Sequence, residues 1–276
     1  MSQKKIIYYC QRKGHECFED YIDSLGIVNR KVYYTDDTEL DRKLFADSGN
    51  VHIFRYHFPQ FLLRSGSKNA FVLNTEQMSE DVRRNHIIAL MNSGVKIIDY
   101  SIANIKILSR CSNSSLLFYL PYQYQDAEVN RLRQFSIKTE YDVGIVHCIT
   151  AHRKKILHQL CSAGLKAIDI RGWKDKRDRL IGKCKILLNV HYDQNFHIFE
   201  HIRCDRWVFA GKPLMSEQSN NIEMLDIRSN VHFYQASHVI DAVRWYLKET
   251  KNLLAPEIIQ NRRRCLQNFI THVNEI

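Results

Sequence analysis

Short runs of β-branched, aromatic and other apolar residues alternate along this chain with stretches whose apolar positions recur every three to four residues. The first pattern is that of strands buried on both faces and the second that of amphipathic helices, so the alternation predicts βαβ units and a mainly parallel sheet. In the first half, strands are expected over 5–9, 31–34, 51–54, 70–74, 96–99 and 116–119, with helices in the intervals. Over 79–91, Val82, Ile87, Leu90 and Met91 fall on one side of a helix; Ser79 stands as a cap before Glu80 and Asp81, and Gly94 closes the element.

The pattern changes over 120–140 to a Pro-Tyr turn, a polar helix and a loop. A second alternating series follows, with strands expected over 142–146, 166–170, 186–190, 213–216 and 231–234, and helices over 151–161, 175–183, 198–209 and 239–248. The last helix, 256–273, opens with Pro256 and has no strand after it, so it is expected to pack back across the molecule. The division read from this is an α/β chain of two Rossmann-like domains, 1–125 and 126–255, with a helix at 256–276 returning toward the first.

Composition narrows the classes. With 276 residues, 45% hydrophobic and 25% charged, the chain can bury two modest cores. No stretch of about 18 apolar residues predicts a membrane span, and the start of the sequence lacks a signal-peptide apolar region, so a cytoplasmic location is expected, in a cell or a virus-infected host. Eight cysteines without a CxxC pair, and thirteen histidines without an HExxH pair, give no metal signal. Neither GxGxxG nor GxxxxGK[ST] occurs, which argues against a dinucleotide-dependent dehydrogenase and a P-loop kinase. The net charge of +10 favours an anionic partner: a nucleotide diphosphate, nucleic acid or an acidic membrane face.

In open α/β sheets, ligands sit beyond the carboxyl ends of the strands, and here those ends are loaded with polar side chains. After the strand ending at Val146 comes His147-Cys148-Ile149-Thr150-Ala151-His152-Arg153, where Thr150 can cap a helix and Arg153 sits in its first turn, suited to a diphosphate. An ordinary capped helix with a solvated arginine is the alternative. After the next strand, Gly172 permits close backbone approach and Trp173 offers a flat face for a nucleobase, unless it packs in the core. In the segment 197–217, Glu200, Arg203, Arg206 and Trp207 crowd one helix, suiting a sugar hydroxyl on Glu200 and phosphate oxygens on Arg203 or Arg206. An exposed ion-pair ladder is the competing account.

The order of a basic helix, a strand leading to Gly172-Trp173, the RDRLI helix, the ILLNVH strand, the FEHIRCDRW helix and the AGKPLMSE turn resembles the C-terminal half of glycosyltransferases of families 1 and 4, in particular small viral and bacterial members of the spore-maturation type. The resemblance covers 142–247 and extends to LPYQYQ at 120–125. It implies the GT-B fold, two Rossmann-like domains facing each other across a cleft, with a UDP- or GDP-sugar held by the second half and no obligatory cofactor or metal. Family 4 members carry two glutamates eight positions apart before the glycine of this turn; Ile198 and Arg206 occupy those positions here, leaving Glu200 and Glu217 as the carboxylates near the donor.

In the first half, Gly14-His15 after the first strand resembles the place where inverting family 1 enzymes carry their histidine base, which makes His15 the first candidate for deprotonating an acceptor hydroxyl, with Glu16 or Asp20 to orient it. Glu76, in Asn74-Thr75-Glu76-Gln77 after the fourth strand, is the alternative base; a retaining enzyme needs neither. The acceptor is open among glycan, protein, lipid and DNA. The other readings are a basic nucleic-acid-binding or DNA-modifying protein and a non-catalytic GT-B-like binding module.

Overall fold

The computed structural model describes residues 4–12, 15–26, 31–34, 50–56, 69–136, 138–146, 149–193, 196–220, 222–248 and 254–275. Gly14, His147 and Cys148, singled out above, lie outside the described residues. Two compact units are present, one formed by 1–123 with 260–276 and the other by 124–259.

The first unit holds six strands: β1 (Lys5–Cys10), β2 (Lys31–Tyr34), β3 (Asn50–Arg55), β4 (Ala70–Asn74), β5 (Lys96–Asp99) and β6 (Leu117–Tyr119). They lie in the order β2-β1-β3-β4-β5-β6, and every pairing is parallel. A parallel sheet needs cover on both faces, which explains why its strands read as continuous apolar runs; all of β4 is buried. The helices of this unit are α1 (Glu19–Ser24), α2 (Asp81–Asn92) and α3 (Ile102–Ser109). Ile87 and Met91 of α2 and Leu108 of α3 pack with Val72 and Ile97 of the sheet. Helix α2 starts two residues later than expected, with Glu80 in the cap position and no side-chain cap bond, and Val82 is 75% exposed on its outer side.

The second unit comprises α4 (Asp126–Gln134), β7 (Tyr141–Val146), α5 (Ala151–Ser162), β8 (Ala167–Ile170), α6 (Lys174–Gly182), β9 (Cys184–Asn189), α7 (His201–Phe209), β10 (Leu214–Glu217), β11 (Val231–Tyr234) and α8 (Val239–Tyr246). Its sheet is parallel in the order β11-β10-β9-β7-β8, around a core that includes Val143, Ile145, Leu160, Leu188, Met215 and Val243. The last helix, α9 (Pro256–Glu275), begins in this unit and groups with the first from residue 260. There Phe269 meets Phe71 and Phe118 edge-on, and buried Arg262 donates Nη1 to the Tyr122 carbonyl at 2.9 Å.

In each sheet the second strand is laid on one side of the first and the third on the other, so the winding direction reverses between β1 and β3 and between β7 and β9. These reversals are where adjacent loops diverge and leave room for a ligand.

Besides apolar packing, buried ion pairs join the helices α4, α6 and α7. Asp178 of α6 is fully buried and accepts from Arg206 Nη1 and Nη2 of α7 at 3.0 and 3.1 Å, from Arg131 Nη2 of α4 at 2.9 Å and from Arg177 Nε at 2.9 Å. Arg206 Nε also donates to Glu128 of α4 at 2.9 Å. The end of α6 lies so close to the end of α4 that a Cβ on Gly182 would fall 2.2 Å from the Phe135 carbonyl oxygen. Burial alone would push the Asp178 carboxyl up, but Arg206 and Arg177 beside it hold it below the ordinary carboxylate value.

Removing one partner of such a cluster strands the others in the interior. Asp178→Asn is therefore expected to lower stability by about 3–5 kcal/mol in urea denaturation at neutral pH. Because the folded-state pKa is depressed, the contribution is complete above the unfolded value of about 4 and disappears as pH falls through the folded one. The stability gap between wild type and variant should close on acidification; a gap that stays constant with pH contradicts the assignment.

Candidate functional site

At the β7/β9 reversal the sequence places a capped helix start opposite a strand end. Thr150 caps α5, its Oγ1 accepting from Arg153 N at 3.2 Å. Arg153 itself is 2% exposed and donates Nε and Nη2 to the Val190 carbonyl, just past β9, at 3.1 and 3.0 Å. Its guanidinium also lies 5.7 Å from the Tyr192 ring centre. The sequence reading offered this arginine to a diphosphate. In the fold it fastens the first turn of α5 to the end of β9 across the reversal, and its neighbour His152 is the more exposed side chain on that turn.

Glu217, the last residue of β10, is buried at 5% exposure. One carboxylate oxygen accepts from the backbone N of His191 at 2.6 Å, and the other lies 2.7 Å from His152 Nε2. The end of β10, the residues just after β9 and the first turn of α5 thus converge on one carboxylate. Burial pushes the His191 imidazole below its ordinary pKa even though Glu217 and Glu200 act the other way, so the ring is neutral near pH 7. Its Nε2 lies 3.2 Å from the Gln218 carbonyl and 3.3 Å from Ser219 Oγ, which donates to the Glu217 carbonyl at 3.3 Å. A carbonyl acceptor at Nε2 assigns the ring proton there and leaves Nδ1 as an acceptor, with no hydrogen-bond partner among the described residues.

Helix α7 starts at His201 rather than near 198, because Glu200 takes the cap position with φ −88° and ψ 74°. Arg203 Nη2 lies 3.9 Å from Glu200 Oε2, and Nη1 donates to Asn189 Oδ1 at the end of β9 at 2.9 Å. Asn189 in turn donates to Ser216 Oγ at 2.9 Å. Both charged side chains remain about one-quarter exposed. Arg206 departs from the sequence reading: it is 2% exposed, and Asp178 and Glu128 engage its guanidinium, so it ties helices together rather than facing a phosphate. Gly172 adopts φ +97° after the edge strand β8, a value favourable only to glycine, and Trp173 at the cap position of α6 is 42% exposed. The pair flanks the reversal on the β8 side, three strands from Glu217.

The structure therefore gathers Thr150, Arg153, Glu200, Arg203 and Glu217 around the ends of β7, β9 and β10, with Gly172 and Trp173 to one side and Arg206 removed. Sequence reasoning gave no role to His152, His191 or Asn189. The one available signal was polar residues closing the apolar runs YDVGIV and CKILLN. Among the described residues no three His, Cys, Asp or Glu side chains converge as metal ligands.

The first unit's candidates are not brought together. His15 sits in a short turn after β1, 6% exposed, with Nδ1 3.4 Å from Cys10 Sγ and its ring 5.9 Å from Tyr8. Glu76 follows β4 and pairs with Arg83; its backbone N donates to Asn74 Oδ1 at 3.1 Å, and Asn74 donates to buried Asp99 at 2.6 Å. Strand β3 separates their parent strands, a spacing of about 10 Å.

Two parallel Rossmann-like units in one chain, with polar side chains massed at the strand ends of the second, constitute the GT-B architecture. AviGT4, a glycosyltransferase involved in Avilamycin A biosynthesis, has a similar structure with a TM-score of 0.61 and 9% identity, over 98% of this chain and 97% of that one. The chain belongs to the family of the uncharacterized protein L140 of Acanthamoeba polyphaga mimivirus, to which it is 34% identical over 255 residues, 88% of this chain and 80% of L140. It is also 34% identical to the uncharacterized protein L138 of the same virus over 274 residues, 95% of this chain, but it spans only 30% of the length of L138. No protein-family model matches the sequence. No helix among the described residues is long and apolar enough to cross a membrane.

The place given to Arg153 is testable. Arg153→Ala leaves the Val190 carbonyl without its charged donor, and a loss of about 1.5–3 kcal/mol in chemical denaturation is expected. Unchanged stability with nucleotide binding alone abolished contradicts that structural role.

Proposed function

We propose that the protein is a glycosyltransferase that moves a sugar from a UDP- or GDP-linked donor to an acceptor hydroxyl. The observation that carries this reading is the convergence at Glu217, which joins the start of α5, the end of β9 and the end of β10 at the winding reversal of the second sheet. The positive end of α5 and the His152 imidazole suit a diphosphate, and Arg203 brings a partly exposed guanidinium to the same strand ends. Glu200, about one-quarter exposed, supplies acceptors for sugar or ribose hydroxyls. Trp173, with the freedom of Gly172 before it, offers a face to a nucleobase.

The chemistry asked of these groups is leaving-group stabilisation. An acceptor oxygen bonds to the anomeric carbon while the carbon–oxygen bond to the diphosphate breaks, and the electron pair of that bond goes to the phosphate oxygen. His152, kept in place by Glu217, meets the charge that develops there together with Arg203 and the start of α5. The Arg203 guanidinium and the positive end of α5 support a metal-independent transfer. The acceptor proton goes to a base, for which His15 and Glu76 are the first-unit candidates if the anomeric configuration inverts.

Incubation with a panel of UDP- and GDP-sugars, following nucleotide release, tests this. At least one donor should be turned over, and Glu217→Gln and Arg203→Ala should each lower kcat/KM on the order of 10²-fold while the protein stays folded. Folded wild type that neither releases nucleotide nor shifts its melting temperature with any donor overturns the proposal.

A further inference from the structure

The opposite edge of the second sheet carries a cavity that the donor reading leaves unused. It lies where β9 and β10 begin, at Cys184 and Pro213, whereas the site above lies where the same strands end, at Asn189 and Glu217. At the rise of an extended chain, that separation is about 13–17 Å. The cavity has a volume of about 350 Å³, the size class of a small ligand site.

Its lining has two characters. Pro213, Tyr246 and Leu247 make an apolar wall, and Arg133, Lys185 and Lys212 bring three cations to the rim. Lys185 is offset by Asp142 at 2.8 Å. Arg133 donates Nε to the Ala210 carbonyl at 3.3 Å and makes no ion pair among the described residues, while Lys212 donates Nζ to the Gly182 carbonyl at 3.1 Å. The residues that line the cavity include these three cations and no carboxylate, so the lining carries positive charge.

Tyr246 connects this cavity to a stack of rings. Its hydroxyl is hydrogen-bonded to the backbone of Leu214, and its ring lies 5.2 Å from His232 at 19° and 6.3 Å from Trp245 at 24°. Trp245 also lies 4.7 Å from His232, and it is 51% exposed. An indole braced by two neighbouring rings is a pre-ordered flat surface, suited to the C–H face of a sugar ring, and the guanidinium and ammonium groups lining the cavity that Tyr246 shares suit an acid group carried by that sugar. A single strand of nucleic acid would want cations along a track beside stacking platforms. Here they gather around one small cavity.

We propose that this cavity and the adjoining ring stack bind an anionic saccharide, a sugar unit bearing a carboxylate or a phosphate, at a site separate from the donor's. The site does not depend on the transferase reading. Titrations of the full chain with glucuronic acid, glucose 6-phosphate, glucose and a thymidine oligonucleotide, followed by calorimetry and tryptophan fluorescence, test it with saturating UDP present and absent. At least one of the two acidic sugars should bind about tenfold more tightly than glucose, and whichever binds identifies the acid group. Binding should persist with UDP present and fall about tenfold in both Trp245→Ala and Arg133→Gln, variants of exposed side chains that keep a cooperative melting transition. Absence of binding by both acidic sugars, equal binding of glucose, tighter binding of the oligonucleotide, displacement by UDP, or wild-type affinity in the folded variants overturns the proposal.

Discussion

A carboxylate withdrawn from water at the end of a strand must find donors, and the partners that Glu217 finds organise the second unit's upper edge. One is the backbone N of His191 and the other is the ring of His152, so the residues after β9 and the first turn of α5 are positioned relative to the end of β10. Arg153 adds a second tie over the same gap through the Val190 carbonyl. The two bridges together set the start of a capped helix beside two strand ends, and a site for an anionic leaving group requires that kind of pre-ordered geometry.

The far side of the unit depends on a different buried charge. Asp178 draws Arg131, Arg177 and Arg206 together, and through them α4, α6 and α7. Helix α7 carries Glu200 at its cap and Arg203 one turn on, so the cluster that closes the underside of this helix also positions the charged pair at its start. The cost of burying these ions is offset by their mutual hydrogen bonds, which is why the helices can be so polar along their contact faces.

The alternation of elements was legible because strands of a doubly covered parallel sheet are apolar throughout, and β4 and β5 fall at the expected positions. The destinations of charged side chains were not. Arg206 and Arg203 look alike on a helical projection, yet Asp178, 28 residues away, captures one of them and leaves the other at the strand ends. Arg153, whose place in a first turn suits either a diphosphate or an ordinary capped helix, donates to a backbone carbonyl 37 residues away that spacing does not reveal. His152 and His191 went unassigned because their meaning comes from a carboxylate on a third strand. Likewise the start of α7 depended on the conformation of Glu200, which local periodicity does not encode. Tertiary partners, invisible to spacing, separate the structural charges from the available ones.

The most direct measurement is a crystal structure of the protein with UDP or GDP bound. The account predicts the diphosphate at the start of α5, within hydrogen-bond reach of His152 and beside Arg203, with Arg153 still on the Val190 carbonyl and Arg206 still on Asp178. A diphosphate bound away from the ends of β7, β9 and β10, or one that draws Arg206 out of its cluster, would contradict it.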